Sequence, residues 1–246
     1  MTPPLSGSLF ISDLHLCEER PHITALFGRF MDEVAHDAAA LYILGDLFEY
    51  WIGDDQLDHD PLAHQVAYKI STAAARGTRV FFMHGNRDFL IGERFAAKAS
   101  LTLLPDPTVI ELNGERVLLM HGDTLCTDDV AYQQFRKQVR DPAWQAELLA
   151  MPYAERVALA RSLRTQSDME KSMKAEAIMD VNAGAVSMAF RQRGCVTMIH
   201  GHTHRPAMHE SSVDGKQCVR WVLADWHDTG GYLAVTNEPL VAKSVL

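Results

Sequence analysis

Asp13, His15, Asp46, Asn86, His121, His202 and His204 each stand at the end of an apolar run. The runs read Ser8-Leu-Phe-Ile-Ser-Asp13-Leu-His15, Ala40-Leu-Tyr-Ile-Leu-Gly-Asp46, Arg79-Val-Phe-Phe-Met-His-Gly-Asn86, Arg116-Val-Leu-Leu-Met-His121-Gly-Asp123 and Val196-Thr-Met-Ile-His-Gly-His202-Thr-His204. Carboxylate, amide oxygen and imidazole suit Mn²⁺, Fe²⁺ or Zn²⁺, and the absence of nearby thiolates argues against a structural zinc site. Two divalent ions about 3.5 to 4 Å apart lower the pKa of a bridging water and clamp attacking and leaving oxygens at phosphorus. The pattern therefore points to hydrolysis of a phosphoester or phosphoanhydride. Taken singly the motifs are weak. A lone Asp-x-His is common, Asp46 after Gly45 and the Gly85-Asn-Arg-Asp88 string both read as ordinary turns, and a histidine after an apolar run is more often a satisfied core residue. Three alternating histidines at His200, His202 and His204 are less easily explained by a solvated loop.

The elements that must position these groups alternate. A strand leads to Asp13, a helix covers Ile23 to Ala35, a strand leads to Asp46, a helix covers Leu62 to Arg76, and a strand leads to Asn86, a βαβαβ pattern. Each ligand then lies past the C-terminal end of a strand, where open sheets place their ligands. Asp13 and His15, two apart, are expected on one face of an extended strand end. Phe89 to Ala99 reads as a further short helix, and Val109–Leu112 with Arg116–Met120 flank Asn113-Gly114, a hairpin signal. From about 124 to 195 the texture becomes helical, with Pro142 and Pro152 at helix starts, and the strand pattern resumes at Val196. Two more strands are expected around Val219–Leu223 and Tyr232–Val235. The expectation is one domain over 1–246 whose sheet core is interrupted by a helical cap.

Composition bounds the partners. At 246 residues and 47 % hydrophobic, the chain can bury a sizeable core. No run approaches the ~18 apolar residues of a spanning helix, and no signal-type start is visible, so a cytosolic protein is expected. Cys17, Cys126, Cys195 and Cys218 have no Cys-x-x-Cys spacing and read as reduced and structural. A formal net charge of -9 argues against non-specific nucleic-acid binding. Thr124 to Cys195 is near neutral, with ten Lys/Arg against nine Asp/Glu. Its helical stripes Ala131/Phe135/Val139 and Met169/Met173/Ala177 read first as contacts between helices, and its basic residues Arg136, Lys137, Arg140, Arg156 and Arg161 as a solvated face. Tyr132 and Arg164 could be solvated or structural. Phe48, Tyr50, Trp51 and Ile52 read as packing that fixes Asp46.

The ordered series Asp-x-His, Gly-Asp, Gly-Asn-Arg, His and Gly-His-x-His resembles the calcineurin-like metallophosphoesterase superfamily. That resemblance implies an α/β fold, a mixed β-sandwich flanked by helices. It implies that Asp13, His15, Asp46 and His204 hold one metal, and that Asp46, Asn86, His121 and His202 hold the second, with Asp46 as the bridge. Many members have histidine after the Gly-Asn, a proton donor to an alkoxide leaving group, where this chain has Arg87. Arginine is no general acid near neutral pH but holds phosphate oxygens bidentately, so Arg87 favours cleavage between two phosphates.

The longer strings Gly45-Asp-Leu-Phe-Glu-Tyr-Trp-Ile-Gly-Asp-Asp55, His84-Gly-Asn-Arg-Asp-Phe-Leu-Ile-Gly92, His121-Gly-Asp-Thr-Leu-Cys-Thr-Asp-Asp129 and His200-Gly-His-Thr-His-Arg-Pro206 are similar to those of the UDP-2,3-diacylglucosamine hydrolase family. This resemblance implies water attack on the α-phosphate of a lipid-linked nucleotide sugar, releasing UMP and 2,3-diacylglucosamine 1-phosphate (lipid X) in lipid A synthesis, with two divalent ions, Mn²⁺ by expectation. It implies catalytic roles for Asp46, Asn86, Arg87 and His121. Substrate contacts are implied for Asn86, Arg87, Asp129, Ser167, Lys171, Lys174 and His202. It further implies a peripheral protein on the cytoplasmic side of the inner membrane, with no obligate protein partner. A broader nucleotide or nucleoside-diphosphate-sugar pyrophosphatase, a scaffold without turnover and a nuclease are the rival readings.

Overall fold

The computed structural model describes residues 7–173, 178, 180–235 and 241–245. Its strands are β1 (Ser8–Ile11), β2 (Ala40–Ile43), β3 (Arg79–Met83), β4 (Leu101–Leu104), β5 (Thr108–Leu112), β6 (Glu115–Leu119), β7 (Thr197–His200), β8 (Ala207–Val213), β9 (Lys216–Val222), β10 (Gly230–Val235) and β11 (Val241–Val245). The helices are α1 (Pro21–Glu33), α2 (Pro61–Ala75), α3 (Glu93–Ala99), α4 (Val130–Val139), α5 (Pro142–Ala150), α6 (Tyr153–Met173) and α7 (Ala183–Arg193). Two mixed sheets result, in the orders β11-β10-β1-β2-β3-β4 and β5-β6-β7-β9-β8.

Period-two alternation explains the layering. Phe10, Tyr42 and Met83 meet Val117, Leu119 and Ile199 of the second sheet in one apolar cluster. There Phe10, Tyr42 and Phe81 stack at centroid distances of 4.9 and 4.8 Å. Their neighbours Leu9, Ile11, Leu41, Ile43, Val80 and Phe82 pack with Ile23, Phe27, Phe30, Val66, Ile70 and Phe95 of α1 to α3. Beyond the second sheet, Leu118, Met120 and Met198 pack on Val186 and Phe190 of α7. The order of layers is helix, sheet, sheet, helix. β1 to β4 pair in parallel, as do β6, β7 and β9, so the loops carrying the candidate ligands leave strand C-termini.

Several expectations shift. The helix expected from Phe89 begins at Glu93, because the Asp54 carboxylate accepts from the N–H groups of Gly92, Arg94 and Phe95 and fixes its start there. β4, β8 and β11 were not anticipated; β8 and β11 are edge strands whose residues are almost all exposed, so no apolar alternation marks them. The Asn113-Gly114 turn has φ of 52° and 82° and closes the antiparallel β5/β6 pair as expected.

Between β6 and β7 lie α4 to α7. Pro142 opens α5 with Asp141 as its cap, accepting from Ala143 and Trp144. Of the stripe Ala131/Phe135/Val139 only Val139 is buried, and Phe135 is 40 % exposed. The side chains of Met169 and Met173, and all of Ala177, lie outside the described residues. Of the basic side chains, Lys137 and Arg161 are exposed as a solvated face requires, but the other three are not part of one. Arg136 pairs with Asp123, Arg140 donates to the Gly85 carbonyl, and Arg156 is 3 % exposed and pairs with Asp55. Phe48, Trp51 and Ile52 are buried, as packing behind Asp46 requires.

Candidate metal centre

All seven candidate ligands meet at one edge of the sandwich. Around the first position, His204 Nε2 lies 3.5 Å from Asp13 Oδ1 and 3.3 Å from His15 Nε2, which is 3.8 Å from Asp46 Oδ2. Around the second, Asn86 Oδ1 lies 3.0 Å from His121 Nε2 and 2.9 Å from His202 Nδ1, and His121 Nε2 is 3.9 Å from Asp46 Oδ1. The two carboxylate oxygens of Asp46 thus face different sets. Donor atoms of Asp13, His15 and His204 fall within 4.8 Å of one another, as do those of Asp13, Asp46 and His121.

Local backbone geometry makes this convergence possible. Asp13, His15, Asp46, His202 and His204 all have positive φ, between 50° and 70°. The expectation that Asp13 and His15 share one face of an extended strand is therefore corrected: β1 ends at Ile11 and both residues sit on left-handed turns beyond it. These turns are tied across loops, with Asp13 N–H donating to the Gly45 carbonyl at 3.1 Å and His15 N–H to the Asp46 carbonyl at 2.9 Å. Gly85 and Gly201 are needed for close approach. A Cβ on Gly85 would lie 2.1 Å from Asp46 Oδ1, and one on Gly201 would lie 2.2 Å from Asp13 Oδ2.

Buried and half-buried acceptors lie behind the candidate ligands. His121 Nδ1 contacts the Leu44 carbonyl at 2.8 Å, which turns Nε2 toward the centre. Glu49 and Asp225 lie 3.7 and 3.6 Å behind the Nδ1 atoms of His15 and His204. Asp88, fully buried, accepts from Gly85 at 2.9 Å and Leu47 at 2.7 Å and so fastens the Asp46 and Asn86 loops together. Burial, reinforced by the charge of Asp46, pushes Asp88 up to about 7. Burial alone would lower His121, yet the carboxylates of Asp46, Asp123 and Asp13 hold it up at about 9.

An imidazole raised that far marks a site short of positive charge. Asp13 Oδ1 is moreover buried without a hydrogen-bond partner. With an all-oxygen and nitrogen donor set, the arrangement fits divalent cations.

Of the remaining expected site residues, Arg87 borders the centre. Its N–H donates to Asp46 Oδ1 at 2.8 Å and its charge bears on Asp46 and His15. Asp129 caps α4 by accepting from Tyr132 N–H. Ser167 and Lys171 lie on α6, but their side chains are outside the described residues, as is the whole of Lys174. Sequence reasoning assigned no role to Glu49, Asp88, Asp123 or Asp225. Asp88, Asp123 and Glu49 carried a signal, standing inside the Gly-Asn-Arg-Asp, His-Gly-Asp and Gly45–Asp55 strings, whereas Asp225 stands in none. Tyr132, left open between solvated and structural, donates to Asp123 Oδ2 at 2.7 Å with its ring 5.7 Å from that of His202. Arg164 pairs with Glu49.

The profile of the calcineurin-like phosphoesterase family matches residues 8–206. A UDP-2,3-diacylglucosamine hydrolase of Aromatoleum aromaticum is 56 % identical over 227 residues, covering 92 % of this chain and 92 % of that protein. Proteins of the same name from Aeromonas salmonicida (50 % identical, 92 % of this chain and 89 % of that protein) and Escherichia coli (52 %, 94 % and 96 %) align over similar spans. With the ligand loops, the two-sheet core and these relatives in agreement, the chain belongs to the calcineurin-like phosphoesterases, and within them to the family of the UDP-2,3-diacylglucosamine hydrolases.

Proposed function

We propose that the protein hydrolyses the diphosphate of UDP-2,3-diacylglucosamine to UMP and 2,3-diacylglucosamine 1-phosphate, with water attacking the α-phosphate. The observation that carries this reading is the junction of Arg87 with a seven-ligand centre, in a chain half identical to hydrolases of that name. Asp13, His15, Asp46 and His204 hold one divalent ion, and Asp46, Asn86, His121 and His202 the other. When bound, the two ions supply a nucleophile at neutral pH and offset charge that develops on the phosphate oxygens.

The chain's own groups do the rest. Asp46 is anchored through its Oδ1 by the Arg87 N–H, so its two oxygens keep their separate faces. Arg87 offers a planar fork of donors to the diphosphate. It cannot hand a proton to an alkoxide, and the departing group here is a phosphate, already a stable anion. Asn86 and His202 touch the substrate beside Arg87, with Asp129, Ser167, Lys171 and Lys174 at its sugar and phosphates. The helices between β6 and β7 form a cap that shelters the acyl chains. Mn²⁺ is the ion we expect.

Among the described residues no helix is long and apolar enough to cross a membrane. A peripheral attachment to the cytoplasmic face of the inner membrane, where the lipid substrate resides, accounts for access. Sedimentation with anionic vesicles tests it, and absence of co-sedimentation would remove it.

The reaction is tested by UMP release from UDP-2,3-diacylglucosamine with Mn²⁺, beside Asp46→Ala and a deacylated substrate. Metal-dependent turnover of the acylated compound alone, lost in Asp46→Ala, is the expected result. Equal turnover of both compounds would replace the reading with a general pyrophosphatase.

A further inference from the structure

Helix α4 is joined to the metal-ligand loops along one side. Tyr132 Oη and Arg136 Nε each donate to Asp123 Oδ2 at 2.7 Å, and Gln133 Nε2 donates to the carbonyls of Asp123 and Cys126 at 2.8 and 3.1 Å. One further turn along the same side, Arg140 Nη2 donates to the Gly85 carbonyl at 2.7 Å, with its guanidinium carbon 5.3 Å from the centre of the Phe89 ring. Residues 132, 133 and 136 share a helix face and Arg140, the C-cap of α4, keeps right-handed helical backbone one turn on, so the bonds to Asp123 fix the direction from which the Arg140 side chain arrives.

We propose that Arg140 is a positioning residue for Asn86, acting through the Gly85 carbonyl. This rests on the two-metal reading above. Asn86 is the one ligand of the second position that is an uncharged amide, so its contribution depends on where its oxygen is held. That oxygen must stay within 3.0 Å of two imidazole nitrogens. The Gly85 backbone that leads into it is gripped at both its N–H and its carbonyl. Gly85 N–H is bound by Asp88 at 2.9 Å, and Gly85 O, the carbonyl of the Gly85–Asn86 peptide, is bound by Arg140. Gly85 itself lies against Asp46, with no room for a Cβ. Three ligands of the other position have separate supports. Asp13 is held by Ser12 and the Gly45 carbonyl, His15 by the Asp46 carbonyl, and His204 lies against Asp225. Loss of the Arg140 bond should therefore weaken one metal position and spare the other.

The test is Mn²⁺ titration of the metal-free protein, with free Mn²⁺ read by its electron paramagnetic resonance signal, in wild type, Arg140→Met, Arg140→Lys and Lys137→Met. Lys137 is an exposed neighbour on α4 and serves as the control. Wild type and Lys137→Met should take up two ions. Arg140→Met should bind the first with unchanged affinity and the second about 10-fold or more weakly, the range typical of groups that orient a metal ligand. Arg140→Lys, which keeps a donor without the planar fork, should lie between them and carries the same comparison if the methionine variant does not fold. With acylated substrate at saturating Mn²⁺, kcat should fall while KM stays within about twofold. Wild type that binds fewer than two ions would overturn the metal-centre reading itself. Two ions in wild type with unchanged affinities in both Arg140 variants, or equal weakening of both positions, would overturn the role of Arg140 alone.

Discussion

Replacing Arg156 by methionine should destabilise the protein by about 3 kcal/mol. The side chain begins on α6 and is buried, with Nη1 donating to the Ile52 carbonyl at 2.5 Å and to Asp55 Oδ1 at 3.0 Å, and Nε to the Met151 carbonyl at 3.1 Å. Nη2 pairs with the other Asp55 oxygen. Removing one member of a buried ion pair costs roughly 3–5 kcal/mol, but Asp55 is 40 % exposed and regains water, which places the loss at the lower end. The Ile52 carbonyl loses its donor, at roughly 1–3 kcal/mol by itself, and the guanidinium contact with the Tyr153 ring, 5.8 Å to its centre, is lost too, while methionine keeps an unbranched apolar stem. For a chain of this size about 3 kcal/mol corresponds to a fall in Tm of roughly 6–12 °C. Calorimetry of the metal-free protein measures it, with Asp55→Asn and the double variant completing a cycle; the coupling should reach about 1 kcal/mol. A Tm change under about 2 °C, or strict additivity with Asp55→Asn, would refute the claim that this guanidinium docks α6 on the 52–55 turn.

Three other outcomes follow from the centre. Arg87→Ala should lower kcat/KM by about 10²–10³ for the acylated substrate, the usual size of a lost donor to developing charge, with two Mn²⁺ still bound; parallel loss of metal would reassign Arg87 to a structural role. Gly201→Ala forces a Cβ to within 2.2 Å of Asp13 Oδ2 and Ser12 Oγ and should cut activity at least about 100-fold with loss of Mn²⁺, read by the same titration. His200 is buried, and burial, then the Arg220 charge, lowers it to about 4 from 6.5. The unfolded chain takes up this proton first, so the stability is complete above about 6.5 and is lost as pH falls toward 4, by about 3 kcal/mol. Against His200→Gln, wild type should show the steeper fall in Tm between pH 6.5 and 4.5, and equal slopes would contradict the assignment.

Much of the centre was legible because its residues stand where apolar runs stop, and a run of four or five buried residues ending in a polar one marks a strand end. The parallel strands and α1 and α2 followed from the same periodicity, within a few residues. Whatever depends on distant partners was not legible. Arg136, Arg140 and Arg156 look like an exposed basic face, since nothing local tells that Asp123, Gly85 and Asp55 await them. Asp54 fixes the start of α3 from some forty residues away, and no propensity in Phe89–Gly92 announces that. Edge strands β8 and β11 bury so little that their sequences carry no alternation to find. The left-handed turns were hidden too, because aspartate and histidine give no sign of positive φ where glycine would.

Those turns set durability against chemistry. Asp13, His15, Asp46, His202 and His204 occupy a conformation that glycine adopts without penalty and that L side chains adopt at roughly 1–2 kcal/mol each. Glycine at any of them relaxes the backbone of the metal-free protein while removing a proposed metal ligand. Selection for heat resistance alone would therefore drift toward a sturdier and inert sandwich. Only selection that reads turnover keeps these five side chains in place, and a stabilising library built on this chain must hold them fixed.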